Sequence, residues 1–140
     1  MGTHTSRPFR NLLAVLILPV IATACSRAAE EAMVDAQPAP GEIRLDQRGA
    51  LTVVDIEVDR LANATEVAFS ELGIAFEERE AKDDGVEMEG NDGDRKVSVQ
   101  IEREDDAVLT EIRVSVTRDG ITFDQARSGE ILRTLLARAR

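Results

Sequence analysis

The chain has 140 residues, 43% of them hydrophobic and 31% charged, and its 27 acidic and 17 basic side chains give a formal charge of −10. That balance argues against binding nucleic acid or an anionic lipid surface through charge. A single cysteine rules out an intramolecular disulfide, and one histidine with no tyrosine or tryptophan leaves little for soft-metal ligation or imidazole catalysis.

Residues 1–24 read as an export signal. Arg7 and Arg10 form a short positive region, an apolar run begins at Leu12, and small Ala22, Thr23 and Ala24 lead to Cys25. The uncharged run from Leu12 to Ala24 is too short for a membrane span, which takes about 20 residues, so cleavage after Ala24 is expected. Ala22-Thr23-Ala24 has the A-x-A form of an ordinary secretory site. Cys25 in the next position also resembles the lipobox of bacterial lipoproteins, whose thiol is acylated before the cut and then becomes the N-terminus. The lipoprotein reading is preferred, because the only cysteine falls at the first mature position, although Ala22 stands where the lipobox usually has Leu. Ser26 resembles the residue that lets such proteins continue to the outer membrane.

Loss of the signal takes Arg7, Arg10 and His4 with it and moves the formal charge from −10 to −12. The remainder has no imidazole, no phenol and, once Cys25 is acylated, no thiolate. Zinc, copper, haem and iron–sulfur sites are then excluded, and no cofactor is expected. A carboxylate pair can hydrolyse glycosides, but Phe69, Phe76 and Phe123 are the only aromatic side chains left to hold a sugar. No catalytic residue is assigned, and the chain is read as a non-enzyme.

Residues 25–49 mix small, charged and proline residues without a period and read as a tether, with Pro38, Pro40 and Gly41 breaking any helix. The globular domain is placed at 50–140. Val54, Ile56 and Val58 alternate with Asp55 and Glu57, which predicts a first strand with one buried face. Asp59 then stands as an N-cap, Leu61, Ala64, Ala68 and Leu72 recur at helical spacing, and Gly73 follows as a C-terminal stop. Ile74 and Phe76 point inward on a second strand, Asp83-Asp84-Gly85 turns, and Val86 and Met88 mark a third. After the Asn91-Asp92-Gly93-Asp94 turn, Val97, Val99 and Ile101 alternate with polar residues, and Ile112, Val114 and Val116 do so again. Asp119-Gly120 ends the sheet. Asp124 caps a final helix whose apolar stripe is Ile131, Leu132, Leu135, Leu136 and Ala139.

The order β-α-β-β-β-β-α predicts an α+β domain in two layers, a largely antiparallel five-stranded sheet with both helices on one face. Ala22-Thr23-Ala24-Cys25, Glu71-Leu72-Gly73-Ile74, the Asp92-Gly93 turn before alternating valines, and Ile131-Leu132-Arg133 together resemble a family of small bacterial lipoproteins catalogued as a domain of unknown function. The resemblance implies an envelope location and an α+β fold, and it carries over no catalytic residues.

Nine carboxylates lie between Glu77 and Asp94. Asp83, Asp84, Asp92 and Asp94 are candidates for a weak hard-cation site, but their spacing does not fit the calcium-loop pattern, and a solvated hairpin explains the same residues. The expectation is therefore no metal. Two roles fit what is left. One is an interaction or structural module, held to the membrane through lipid on Cys25, that meets an envelope protein with its wet sheet face or acidic hairpin. The other is a binder of an amphipathic small molecule between helix and sheet, which needs a cavity lined by Phe69, Phe76, Leu132 or Leu136.

Overall fold

A computed structural model describes residues 37–104 and 108–140. Arg44–Asp46 (β1) pairs with Gly49–Val54 (β2), and the helix Val58–Leu72 (α1) follows. Ala75–Lys82 (β3), Gly85–Asp92 (β4), Arg95–Arg103 (β5) and Thr110–Arg118 (β6) then run as a meander, the short Thr122–Phe123 (β7) folds back on β6, and Gln125–Ala139 (α2) closes the chain. The fold is α+β. The order across the sheet is β1-β2-β6-β5-β4-β3, β7 also pairs with β6, and every pairing is antiparallel.

The alternating sequences account for the middle of the sheet. Register places Met88, Val99, Val114 and Ala50 in one row across it and Val86, Ile101 and Ile112 in the next, so their side chains share a face. They form one core cluster with Leu61, Ala64, Ala68 and Phe69 of α1 and Ile131, Leu132, Leu135 and Leu136 of α2. The chain turns where short polar residues and glycine tolerate the geometry. Gly93 has φ 66°, and Asp119 and Gly120 have φ 57° and 71°. Gly73 ends α1 in the left-handed conformation, its N–H bonded to the Ser70 carbonyl. Asp124 caps α2 as expected, its carboxylate accepting from the Arg127 N–H at 2.9 Å.

Five strands were expected, and the described residues form seven. The additional β1 and β7 have three and two residues, too few to show a period of two. β1 also means that the expected tether is folded over its last part. Pro38 is buried, the Gly41 N–H donates to the Val53 carbonyl, and the Thr52 hydroxyl donates to the Glu42 carbonyl.

The two-layer expectation fails at β2, where all six residues are buried. Ala50 and Val54 belong to the core cluster, while Leu51 and Val53, opposite Arg113 and Glu111, are buried on the other face. Gly49 begins this strand at φ 137°, and a Cβ there would lie 2.1 Å from the Val114 carbonyl oxygen, so only glycine lets β2 approach β6 so closely. The predicted strand through Val58 stops at Val54, and Val58 opens α1 instead. Asp59 therefore lies in the first turn of the helix, where a carboxylate suits the dipole, and Glu57 occupies the cap position without a side-chain bond.

Phe76, expected inward, is 47% exposed. It lies on β3, an edge strand exposed along all eight residues, and a register shift falls between Phe76 and Glu78. The space beneath that end of the sheet is already filled. A Cβ on Gly90, the partner of Phe76, would sit 2.9 Å from both the Phe69 ring and the Ile74 side chain.

Candidate functional site

The acidic hairpin is β3 and β4. Asp83 and Asp84 make its two-residue turn, whereas Asp92 ends β4 and Asp94 lies in the next turn. Eight strand residues span about 25 Å, so the four candidate cation ligands fall into two pairs at opposite ends of the hairpin. The distal pair is engaged by arginines, Asp92 with Arg127 Nε at 2.8 Å and Asp94 with Arg118 Nε at 3.6 Å. Among the described residues no group of three or more His, Cys, Asp or Glu is placed to hold a metal ion. Cys25, the expected lipidation site, lies outside the described residues.

The remaining hairpin carboxylates belong to a polar ladder on the sheet face opposite the core. Glu87 sits at its centre. Its Oε1 accepts from the Ser98 hydroxyl at 3.2 Å and the Gln100 amide at 3.3 Å, and Lys82 Nζ lies 3.5 Å from Oε2. Burial pushes the Glu87 carboxyl up, but the hydrogen bonds from Gln100, Ser98 and Lys82 together outweigh it and hold the group below its ordinary value. Lys82 is in turn held above its ordinary value by its bond to Glu80, and Lys96 by its bond to Glu89 at 2.9 Å. The Asn91 amide donates to Glu77 at one end of this face.

Arginine 113 continues the ladder onto β6. Its Nη1 meets Asp46 Oδ2 at 2.7 Å, with both side chains more than four-fifths buried. Asp46 also accepts from the Arg48 N–H at 2.8 Å, and its carbonyl accepts from the Gln125 amide at 2.7 Å. Burial pushes the Asp46 carboxyl up, and the bonds from Arg113 and Arg48 more than offset this, leaving it below its ordinary value.

Arg127 performs a similar closing role at the other end of the sheet. Its guanidinium reaches Asp92, Glu130 at 2.8 Å and the Leu72 carbonyl at 3.3 Å, so one side chain joins the end of β4, the end of α1 and the start of α2. The bond to Asp92, then that to Glu130, raises its pKa further.

Beside this clamp a cleft of about 500 Å³ opens between the end of the sheet and the start of α2, lined by Arg95, Arg118, Thr122, Phe123, Asp124, Gln125 and Ala126. Sequence reasoning did not reach it, although a signal was present. Arg95 stands two residues before Val97 and Arg118 two after Val116, so each occupies the core-facing phase of its strand. The residues proposed to line a cavity between helix and sheet are placed otherwise. Phe69 and Leu132 are fully buried, Leu136 nearly so, and Phe76 lies on the exposed edge. Among the described residues, no helix is long and apolar enough to cross a membrane.

No protein-family model matches the chain, and no curated protein matches its sequence.

Proposed function

We propose that this chain is a lipid-anchored lipoprotein of the bacterial cell envelope, cleaved before Cys25 and acylated on that thiol, whose domain is a non-catalytic interaction or structural module. The signal, the small residues before Cys25 and the position of the only cysteine support the anchor. Ser26 favours the outer membrane, with the domain in the periplasm. The observation that carries the module reading is a filled interior beneath a polar sheet face. Phe69, Leu61, Leu132, Leu135 and Met88 are fully buried in one core, while Glu87, Glu89, Lys96, Ser98 and Gln100 form a preorganised surface on the far side. Fixed polar groups of this kind give a partner specificity at little ordering cost.

A photo-crosslinking residue at Gln100, and another at Asp84 on the hairpin turn, tests this in the protein's own envelope. A discrete adduct of defined mass from either position is the expected result. Only diffuse labelling from both would end the reading as an interaction module.

A further inference from the structure

The cleft at the start of α2 has the makings of a ligand site that does not depend on the module reading. In the β5–β6 register Arg95 lies directly opposite Arg118, and like charges in that position are destabilising unless something offsets them. Two aspartates do so in part. Asp124 Oδ2 is 3.0 Å from Arg95 Nη1, but the same carboxylate also caps α2 through Oδ1. Asp94 approaches Arg118 at only 3.6 Å, with side-chain exposures of 74% and 57%, and an exposed pair of this kind is weak. Each guanidinium carries five N–H donors, so the two arginines present more donors than Asp124, which lines the cleft, and Asp94, which lies outside it, take up. Apolar surface adjoins them. Phe123 lines the cleft while 38% exposed, and Ile121, next to Thr122, is 81% exposed. The volume falls in the range of small-molecule sites, roughly 300–1,000 Å³.

We propose that this cleft binds a small anionic amphiphile, its carboxylate or phosphate held between Arg95 and Arg118 and its short apolar chain laid against Phe123. Guanidinium forks match planar or tetrahedral oxyanions, and Phe123 gives the attached chain a surface to leave water on.

Titration of the isotope-labelled full-length chain with octanoate, followed by amide resonances, tests the proposal, with octylamine and inorganic phosphate as comparison probes. Octanoate is expected to shift Arg118, Thr122, Phe123 and Ala126 saturably. Octylamine should leave them in place, and phosphate should bind at the same residues but more weakly for want of the chain. Arg118→Gln, whose exposed side chain lies outside the core, should melt as the parent does and weaken octanoate by about tenfold or more. Phe123→Ala should weaken octanoate but not phosphate. Arg118-dependent co-sedimentation with phosphatidylglycerol vesicles would identify a membrane headgroup as the source of the acid, and its absence together with octanoate binding a freely diffusing one. No saturable shift with octanoate, equal shifts with octylamine, or binding that survives Arg118→Gln would overturn the proposal.

Discussion

Replacing Arg113 by alanine tests whether β1 belongs to the fold. The change leaves Asp46, whose side chain is 18% exposed, without its 2.7 Å partner and with the Arg48 N–H as its remaining side-chain bond. Losing one partner of a charged, part-buried hydrogen bond costs about 1–3 kcal/mol, and residual solvent access at this site places the loss at about 1.5 kcal/mol. For a domain of this size that corresponds to a fall in melting temperature of about 6–12 °C. Asp46→Asn in the same background should recover part of the loss, and the double-mutant cycle should give a coupling of about 1 kcal/mol. The pH dependence has a defined sign. Asp46 is held below its ordinary value of 3.8, so its contribution is present above that value and disappears as pH falls through the lowered one. Arg113→Ala should flatten that acid limb. A stability change within about 0.5 kcal/mol, the level of an ordinary surface substitution, or a coupling near zero, would show that the Arg113–Asp46 pair does not hold β1 to the sheet.

Ile112→Asp should abolish folding, because a carboxylate in a fully buried position costs several kcal/mol unpaired, against a total stability of about 5–15 kcal/mol; circular dichroism decides it, and a native spectrum with cooperative melting would contradict the core assignment. Glu87→Gln should lower stability at neutral pH and remove an acid-sensitive component, since the Glu87 contribution is full above its ordinary value of 4.5 and is lost as pH falls through its lowered one; urea titrations across that window measure it. Asp83→Asn with Asp84→Asn should change stability by no more than about 0.5 kcal/mol, whereas Asp92→Asn, which weakens the Arg127 clamp, should cost about 1–2 kcal/mol. Millimolar calcium should move the melting point of none of these proteins, and a calcium-dependent rise in the parent that Asp83→Asn removes would establish a cation site.

Periodicity made the centre of the domain legible. Val97, Val99 and Ile101 and then Ile112, Val114 and Val116 each carry a complete period-two signal, and the Gly73 and Asp124 helix signals work through local geometry alone. What escaped depends on partners distant in sequence. Short β7 exists because β6 runs on past its pairing with β2, and short β1 exists because β2 offers it a free edge. Leu51 and Val53 read as ordinary strand residues, and nothing local distinguishes a strand buried on both faces from one buried on one. Arg113 occupies the polar phase of β6 and so reads as wet, yet Asp46 closes over it. The four hairpin aspartates look like a cluster in sequence, and an eight-residue strand separates them. Arg95 and Arg118 stand at strand ends, where an alternating pattern is easily taken to have stopped, and only the β5–β6 register sets them face to face.

The proposed anchor can be tested by a single measurement, the intact mass of the protein recovered from the membrane fraction of its own cell, compared with the Cys25→Ser variant. The anchor requires a chain beginning at Cys25 that carries the added mass of a diacylglyceryl group and an N-acyl chain, and a variant that leaves the membrane fraction while its domain still melts cooperatively. A chain beginning at Cys25 without lipid mass, or a Cys25→Ser variant that stays with the membrane at its parent's level, would contradict it.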